Sequence, residues 1–165
     1  MVDGREARAR RVIRAGTRND HAFIVSLGAV AFARFGDYDP ILREFLARDD
    51  VTSWIAETEG NGVGFALVER PTVLTGFADL VAIAVDPRHR RQGIARHLLD
   101  RVVLDSEGRG EPLLALTVAE DNAAAIALFR SFAFRMIPGT LGLYAGGQRS
   151  RRMVRTPVDA VPRLP

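Results

Sequence analysis

The 165-residue sequence has no cysteine. That excludes disulfides, a thiolate nucleophile and cysteine-ligated metal. It also has no lysine, so all 23 of its basic side chains are arginines. There are three histidines, His21, His89 and His97. Their separation fits no metal-ligand pattern, and no metal is expected. No apolar run approaches the roughly 20 residues of a membrane span, so no membrane partner is expected. The first residues, MVDGREARARR, lack the apolar segment of a signal peptide, which points to a cytoplasmic protein. Aromatic residues make up only 7% of the chain. The arginine clusters at 8–11, 88–91 and 149–155 have no aromatic interleaving. Twenty acidic residues reduce the net charge to +3. Nucleic-acid binding is therefore disfavoured.

What is present suits one globular domain over residues 1–165, with loose tails at 1–10 and 156–165. Hydrophobic residues are 47% of the chain. Arg11–Ala15 reads as a first strand. Thr17 and Asp20 have the spacing of a capping box ahead of a helix with Ile24, Leu27, Ala31 and Phe35 on its inner face. Pro40 suits the first turn of a second helix carrying Ile41, Leu42, Phe45 and Leu46. Thr52–Thr58 and Val63–Glu69 read as a hairpin around Glu59-Gly60-Asn61-Gly62, and Phe77–Val85 as the third strand of a meander. A helix from Ile94 to Gly108 and a buried strand, Leu113–Val118, follow. Such a crossover makes the new strand parallel to 77–85. Ala125, Leu128, Phe129 and Phe132 form one helix face. Phe134–Ile137 reads as a strand, followed by a glycine-rich turn region to Gly147. Gln148–Arg155 reads as a last strand whose arginines suit a sheet edge. This order gives a mixed α+β fold.

Leu80–Leu99 is the stretch that carries chemistry. Leu80–Val85 is nearly all apolar, as in a strand buried on both faces. Asp86-Pro87 ends it. A basic turn, Arg88–Arg91, leads through Gly93 into the helix. Unpaired backbone N–H groups at a helix start attract anions. Glycine permits close approach of a ligand, and arginines supply forked donors. Residues Arg90–Arg96 thus read as a phosphate cradle or as a solvated basic turn. A Walker loop and a dinucleotide-binding fingerprint are both absent.

Arg90-Arg91-Gln92-Gly93-Ile94-Ala95 resembles the Q/R-x-x-G-x-G/A signature of the GNAT superfamily of N-acetyltransferases. Val85-x-Pro87 before it and the Ile-Ala-x-x-Leu-Leu helix after it fit as well. A second stretch, Asn122-x-x-Ala125-x-x-Leu128-Phe129-x-x-x-Ala133-Phe134, is similar to the family's other CoA-contacting motif. The likeness covers roughly residues 11–155. It implies a central, mostly antiparallel sheet of about six or seven strands flanked by about four helices. It also implies acetyl-CoA as co-substrate and direct transfer of its acetyl group to a primary amine on a small molecule or peptide. The pyrophosphate would lie on Arg90, Arg91, Gln92, Gly93, Ile94, Ala95 and Arg96. Backbone groups of Ile83, Ala84 and Val85 would take the pantetheine arm, with the N–H of Ile83 or Ala84 on the thioester carbonyl and Asn122 near the arm. Homodimers are common in such folds.

The chain departs from the family's second motif at two positions. Ala133 stands where a glycine is usual. Phe129 stands where the family has a tyrosine that protonates the departing thiolate, and phenylalanine has no proton to give. Either the thiolate leaves unassisted, Tyr144 or Tyr38 substitutes, or catalysis is poor. Asp79 matches the place of the family's basic glutamate and reads either as the base or as a surface aspartate; Glu57 and Glu69 are weaker candidates. Asp37 and Asp39 are candidates for attracting a cationic amine. The rival reading is a GNAT-fold module that binds or senses acyl-CoA without efficient turnover.

Overall fold

The computed structural model describes residues 11–156. The tails expected at 1–10 and 156–165 lie outside this range, Thr156 excepted. Seven strands form one sheet: β1 (Arg11–Ala15), β2 (Val51–Thr58), β3 (Asn61–Glu69), β4 (Phe77–Val85), β5 (Leu113–Ala119), β6 (Arg135–Leu143) and β7 (Arg149–Arg155). Their spatial order is β1-β2-β3-β4-β5-β7-β6. All neighbours are antiparallel except β4 and β5. Four helices complete the fold: α1 (His21–Ala31), α2 (Asp39–Leu46), α3 (Ile94–Gly108) and α4 (Ala123–Ser131). None is long and apolar enough to cross a membrane.

Strand alternation divides the apolar residues between two cores. Val68, Ala78, Leu80, Leu114, Leu116, Val118 and Met153 pack with α3 and α4 on one face. Phe65, Leu67, Ala82 and Ala84 pack with α1 and α2 on the other. At the start of α1 the carboxylate of Asp20 accepts the Thr17 N–H at 2.7 Å, within the expected capping box. Arg14 binds the same carboxylate through both terminal nitrogens, at 2.7 and 2.9 Å. The helix stops at Ala31, and Phe35 is buried from a separate 3-10 turn, Ala33–Phe35. Ile41 faces solvent rather than the core.

The end of the chain departs from expectation in two ways. Strand β6 continues from Arg135 to Leu143 through Pro138 and Gly139, where a turn region was expected. An irregularity between Met136 and Leu141 absorbs the proline, which has no N–H for a ladder. Strand β7 is interior, between β5 and β6, and β6 is the edge. Its arginines are tolerated there because acids meet them. Arg149 and Arg151 pair with Glu120, Arg152 with Asp79, and Arg155 with Glu107.

Candidate active site

The site begins as a defect in the sheet. Leu67 faces Ala82 and Val68 faces Leu80, so Val81 is the extra residue of a β-bulge. A bulge bends its strand. Pairing of β4 with β5 stops at Leu80 and Leu116, and the two parallel strands part beyond that point. Val81, Ile83 and Val85 are therefore half-buried, not enclosed on both faces as the unbroken apolar run suggested. The gap holds a cavity of about 90 Å³ between β4, β5, α4 and the turn after α1. Thr117, Asn122, Phe129, Tyr38 and Tyr144 stand in its wall.

The backbone pattern separates Ile83 from Ala84. The N–H of Asp86 donates to the Val63 carbonyl at 2.9 Å. Gly64 and Val85 are thus a non-hydrogen-bonded pair, and Phe65 and Ala84 a hydrogen-bonded one. The Ala84 N–H is committed to β3. The N–H groups of Ile83 and Val85 face the opened side.

Above the gap, Gly93 caps α3 with φ +78° and nothing lies within 4 Å of where a Cβ would stand. Arg91 also has positive φ, 62°. The loop thus holds two residues in the left-handed region, and the start of the 15-residue helix α3 faces open space. Arg90, Arg91, Gln92 and Gly93 are exposed, whereas Ile94 is buried and anchors the helix in the core. The Gln92 carbonyl accepts from Arg11 of β1 at 2.7 Å. Arg96 reaches Ser131 at 2.9 Å and lies over the Phe132 ring, tying α3 to α4. Asn122 caps α4 by accepting the Ala125 N–H at 3.2 Å.

Phe129 is 4% exposed and packs on Phe134, with ring centroids 5.8 Å apart. Tyr144, from the turn between β6 and β7, packs on Phe35 at 4.7 Å. Burial, with the nearby Tyr38, pushes its hydroxyl up to about 12. Burial raises Tyr38 as well. Both phenols therefore keep their protons at neutral pH.

Asp79 is not in the cavity wall. Its neighbours Ala78 and Leu80 point into the α3–α4 core, so it lies on the opposite face. There Arg152 Nη1 donates to its Oδ2 at 2.8 Å and to Thr117 Oγ1 at 3.0 Å. Asp79 Oδ1 has no hydrogen-bond partner among the described residues. Thr117 was missed by the sequence reading. The available signal was one hydroxyl within the apolar run LLALTV. Glu57 is tied to Arg14 and Glu69 to Arg48. Asp39 is held by Arg43, and neither it nor Asp37 lines the cavity.

The turn after α1 is fastened to the turn between β6 and β7. The Gly146 N–H donates to the Phe35 carbonyl at 2.9 Å and Gln148 Nε2 to the Arg34 carbonyl at 2.7 Å. Arg34 also pairs with Asp121 at 2.5 Å. A Cβ on Gly146 would stand 2.2 Å from the Arg34 carbonyl oxygen, so only glycine allows this approach.

A family model for the acetyltransferase (GNAT) family matches residues 21–134. The [ribosomal protein bS18]-alanine N-acetyltransferase of Escherichia coli K12 is 43% identical over 75 residues, 46% of this chain and 49% of that one. Human N-acetyltransferase 8 is 32% identical over 102 residues, 60% of this chain and 45% of that one. The match thus spans about half the length of these curated relatives. The crystal structure of the E. coli ribosomal-protein-S18-alanine N-acetyltransferase superposes with a TM-score of 0.78 at 25% identity, covering 94% of this chain and 99% of that one. Arabidopsis thaliana NAA60 in complex with acetyl-CoA has the same fold, with a TM-score of 0.74 at 20% identity over 89% of this chain and 98% of that one. The split strand pair, the glycine-capped helix above it and these likenesses lead to one conclusion: the chain belongs to the GNAT family of acetyltransferases.

Proposed function

We propose that this chain is a single-domain, acetyl-CoA-dependent N-acetyltransferase that acts on a primary amine by direct transfer. The observation that carries the proposal is the gap between β4 and β5, with unspent N–H groups on one side and the start of α3 above it. Family members include enzymes named for a ribosomal-protein alanine and for spermidine or spermine, so the family name leaves the acceptor open.

In this reading Arg90, Arg91 and the backbone of Gln92–Arg96 hold the pyrophosphate, where a helix start and guanidinium groups favour negative charge. Ile83 and Val85 hold the pantetheine arm through their outward N–H groups, beside Asn122. The Ile83 N–H donates to the thioester carbonyl and stabilises the charge that develops on its oxygen. Alkyl amines are protonated near neutral pH and attack only as the free base. Asp79 Oδ1 takes that proton through a water. The amine nitrogen bonds to the acetyl carbon, the carbon–sulfur bond breaks, Tyr144 gives its phenolic proton to the leaving sulfur, and the second proton leaving the nitrogen returns to the tyrosinate through solvent. Phe129 packs there without chemical work.

The rival reading, binding without turnover, rests on Phe129 alone. Thiol release from acetyl-CoA with a panel of amines separates the two. Turnover that falls about 100-fold or more in both Asp79→Asn and Tyr144→Phe, with acetyl-CoA binding retained, is the expected result. Binding of acetyl-CoA without release against any amine establishes the rival.

A further inference from the structure

We infer that the acceptor carries a carboxylate beside its amine, as a free α-amino acid does, and that Arg152 binds it. This inference deepens the proposed N-acetyltransferase reading and rests on it.

Among the described residues, the cavity wall contains no charged side chain. A charge on the acceptor must therefore be met from beside that wall, and Arg152 is one cation placed there. Its Nη1 is one hydrogen bond from Thr117, which stands in the cavity wall. The same nitrogen is fixed by Asp79, so the guanidinium plane is held in place before any ligand arrives. Its other edge, Nε and Nη2, has no partner among the described residues, and the side chain is 33% exposed. That edge presents two parallel N–H groups, the arrangement that grips a carboxylate in a bidentate pair. The other β7 arginines are all engaged through their Nε or Nη2. Arg149 and Arg151 use Nε on Glu120, and Arg155 uses Nε on the Phe132 carbonyl and Nη2 on Glu107.

A second cation on the acceptor finds two of the candidate acids already engaged. Asp79 already has Arg152 as its counter-charge. Asp39 has Arg43. The geometry therefore favours a compact zwitterion over a polyamine.

The test is a matched set of acceptors in the thiol-release assay: alanine, alanine amide, ethylamine and spermidine, with rates expressed per neutral amine. Alanine is expected to exceed alanine amide and ethylamine in kcat/KM by about tenfold or more, the worth of a charge-assisted hydrogen-bonded pair. In Arg152→Gln the alanine-to-ethylamine ratio is expected to collapse towards one, whatever happens to the absolute rate. Arg152→Lys is expected to retain part of it. Because the ratio compares two acceptors on one protein, a general loss from disturbing Asp79 cancels. Turnover of alanine amide, ethylamine or spermidine as fast as alanine by the unaltered protein overturns the inference while leaving the acetyltransferase reading intact. Absence of turnover with these four acceptors while another amine of the wider panel is turned over overturns the inference alone; absence with every amine of that panel overturns both.

Discussion

Ala133 shows how one atom marks a site's geometry. It sits just after α4 with φ +65°, the left-handed region where glycine is at ease and an L side chain is strained by about 1–2 kcal/mol. The motif's usual glycine is thus explained by backbone conformation alone. Replacing Ala133 with Gly is expected to stabilise the protein by about 1 kcal/mol after the entropy that glycine adds to the unfolded chain. A thermal melt would show this as a rise of about 2–4 °C.

Asp20 illustrates a charge instead of a conformation. Arg14 and the Thr17 N–H hold its carboxyl well below the usual carboxylate range. A depressed folded-state value means that the unfolded chain binds the extra proton, so stability rises with pH across that window. The contribution is complete above the ordinary carboxylate value and disappears as pH falls through the folded one. Asp20→Asn is expected to lower stability by about 1–2 kcal/mol at pH 7, discounting for the partly exposed Arg14. It is also expected to flatten the acid side of the stability curve, as denaturant titrations at pH 7 and pH 3 would show.

Among the elements, the fastening between the turn after α1 and the turn between β6 and β7 lies beside the cavity, whose wall includes Phe35 and Tyr144. It consists of a backbone hydrogen bond, a glutamine side chain and an exposed ion pair. None of these is worth more than about 1.5 kcal/mol in net terms. Such a bridge opens far more often than the sheet does. In the double variant Arg34→Ala, Gln148→Ala, amide exchange at Gly146 is expected to accelerate about tenfold or more, while the amides of β3 and β4 keep their protection. Equal acceleration across the sheet would show the bridge to be part of the global fold rather than a local closure.

The whole molecule depends on a tie at the other end of the sheet. Arg70, just past β3, binds Glu111 at 2.8 Å, Asp105 of α3 at 2.7 Å and Thr52 of β2 at 2.5 Å, and is 14% exposed. It joins the end of α3 to two strands. Removing Arg70 leaves Glu111 without its counter-charge, while Asp105 keeps Arg109; loss of one member of a buried charged group costs about 3 kcal/mol. Arg70→Ala is expected to lower the melting temperature by on the order of 10 °C, with acetyl-CoA binding at the far end unchanged below the transition.

Much of this molecule was determined by local sequence. Apolar runs and turn signals set β1 through β5, and period-four apolar positions set the helices, close to their observed ends, except that α1 stops at Ala31 short of the expected Phe35. Each run presents one face to a core whichever neighbours it meets. Asp86-Pro87 and Gly93 set the turn into α3 in the same local way, since proline cannot continue a ladder and glycine accepts positive φ. The tertiary structure alone decided the rest, and in each case the reason is a contact distant in sequence. Strand β7 became interior because Glu120, Asp79 and Glu107, far along the chain, neutralise its arginines. The bulge at Val81 depends on register with β3, and it converts an unbroken apolar run into an open gap. Asp79 gained Arg152 as partner, and Thr117 rather than Asp79 stands in the cavity wall. That exchange is set by how β4, β5 and β7 align side by side, which no spacing within a single strand encodes.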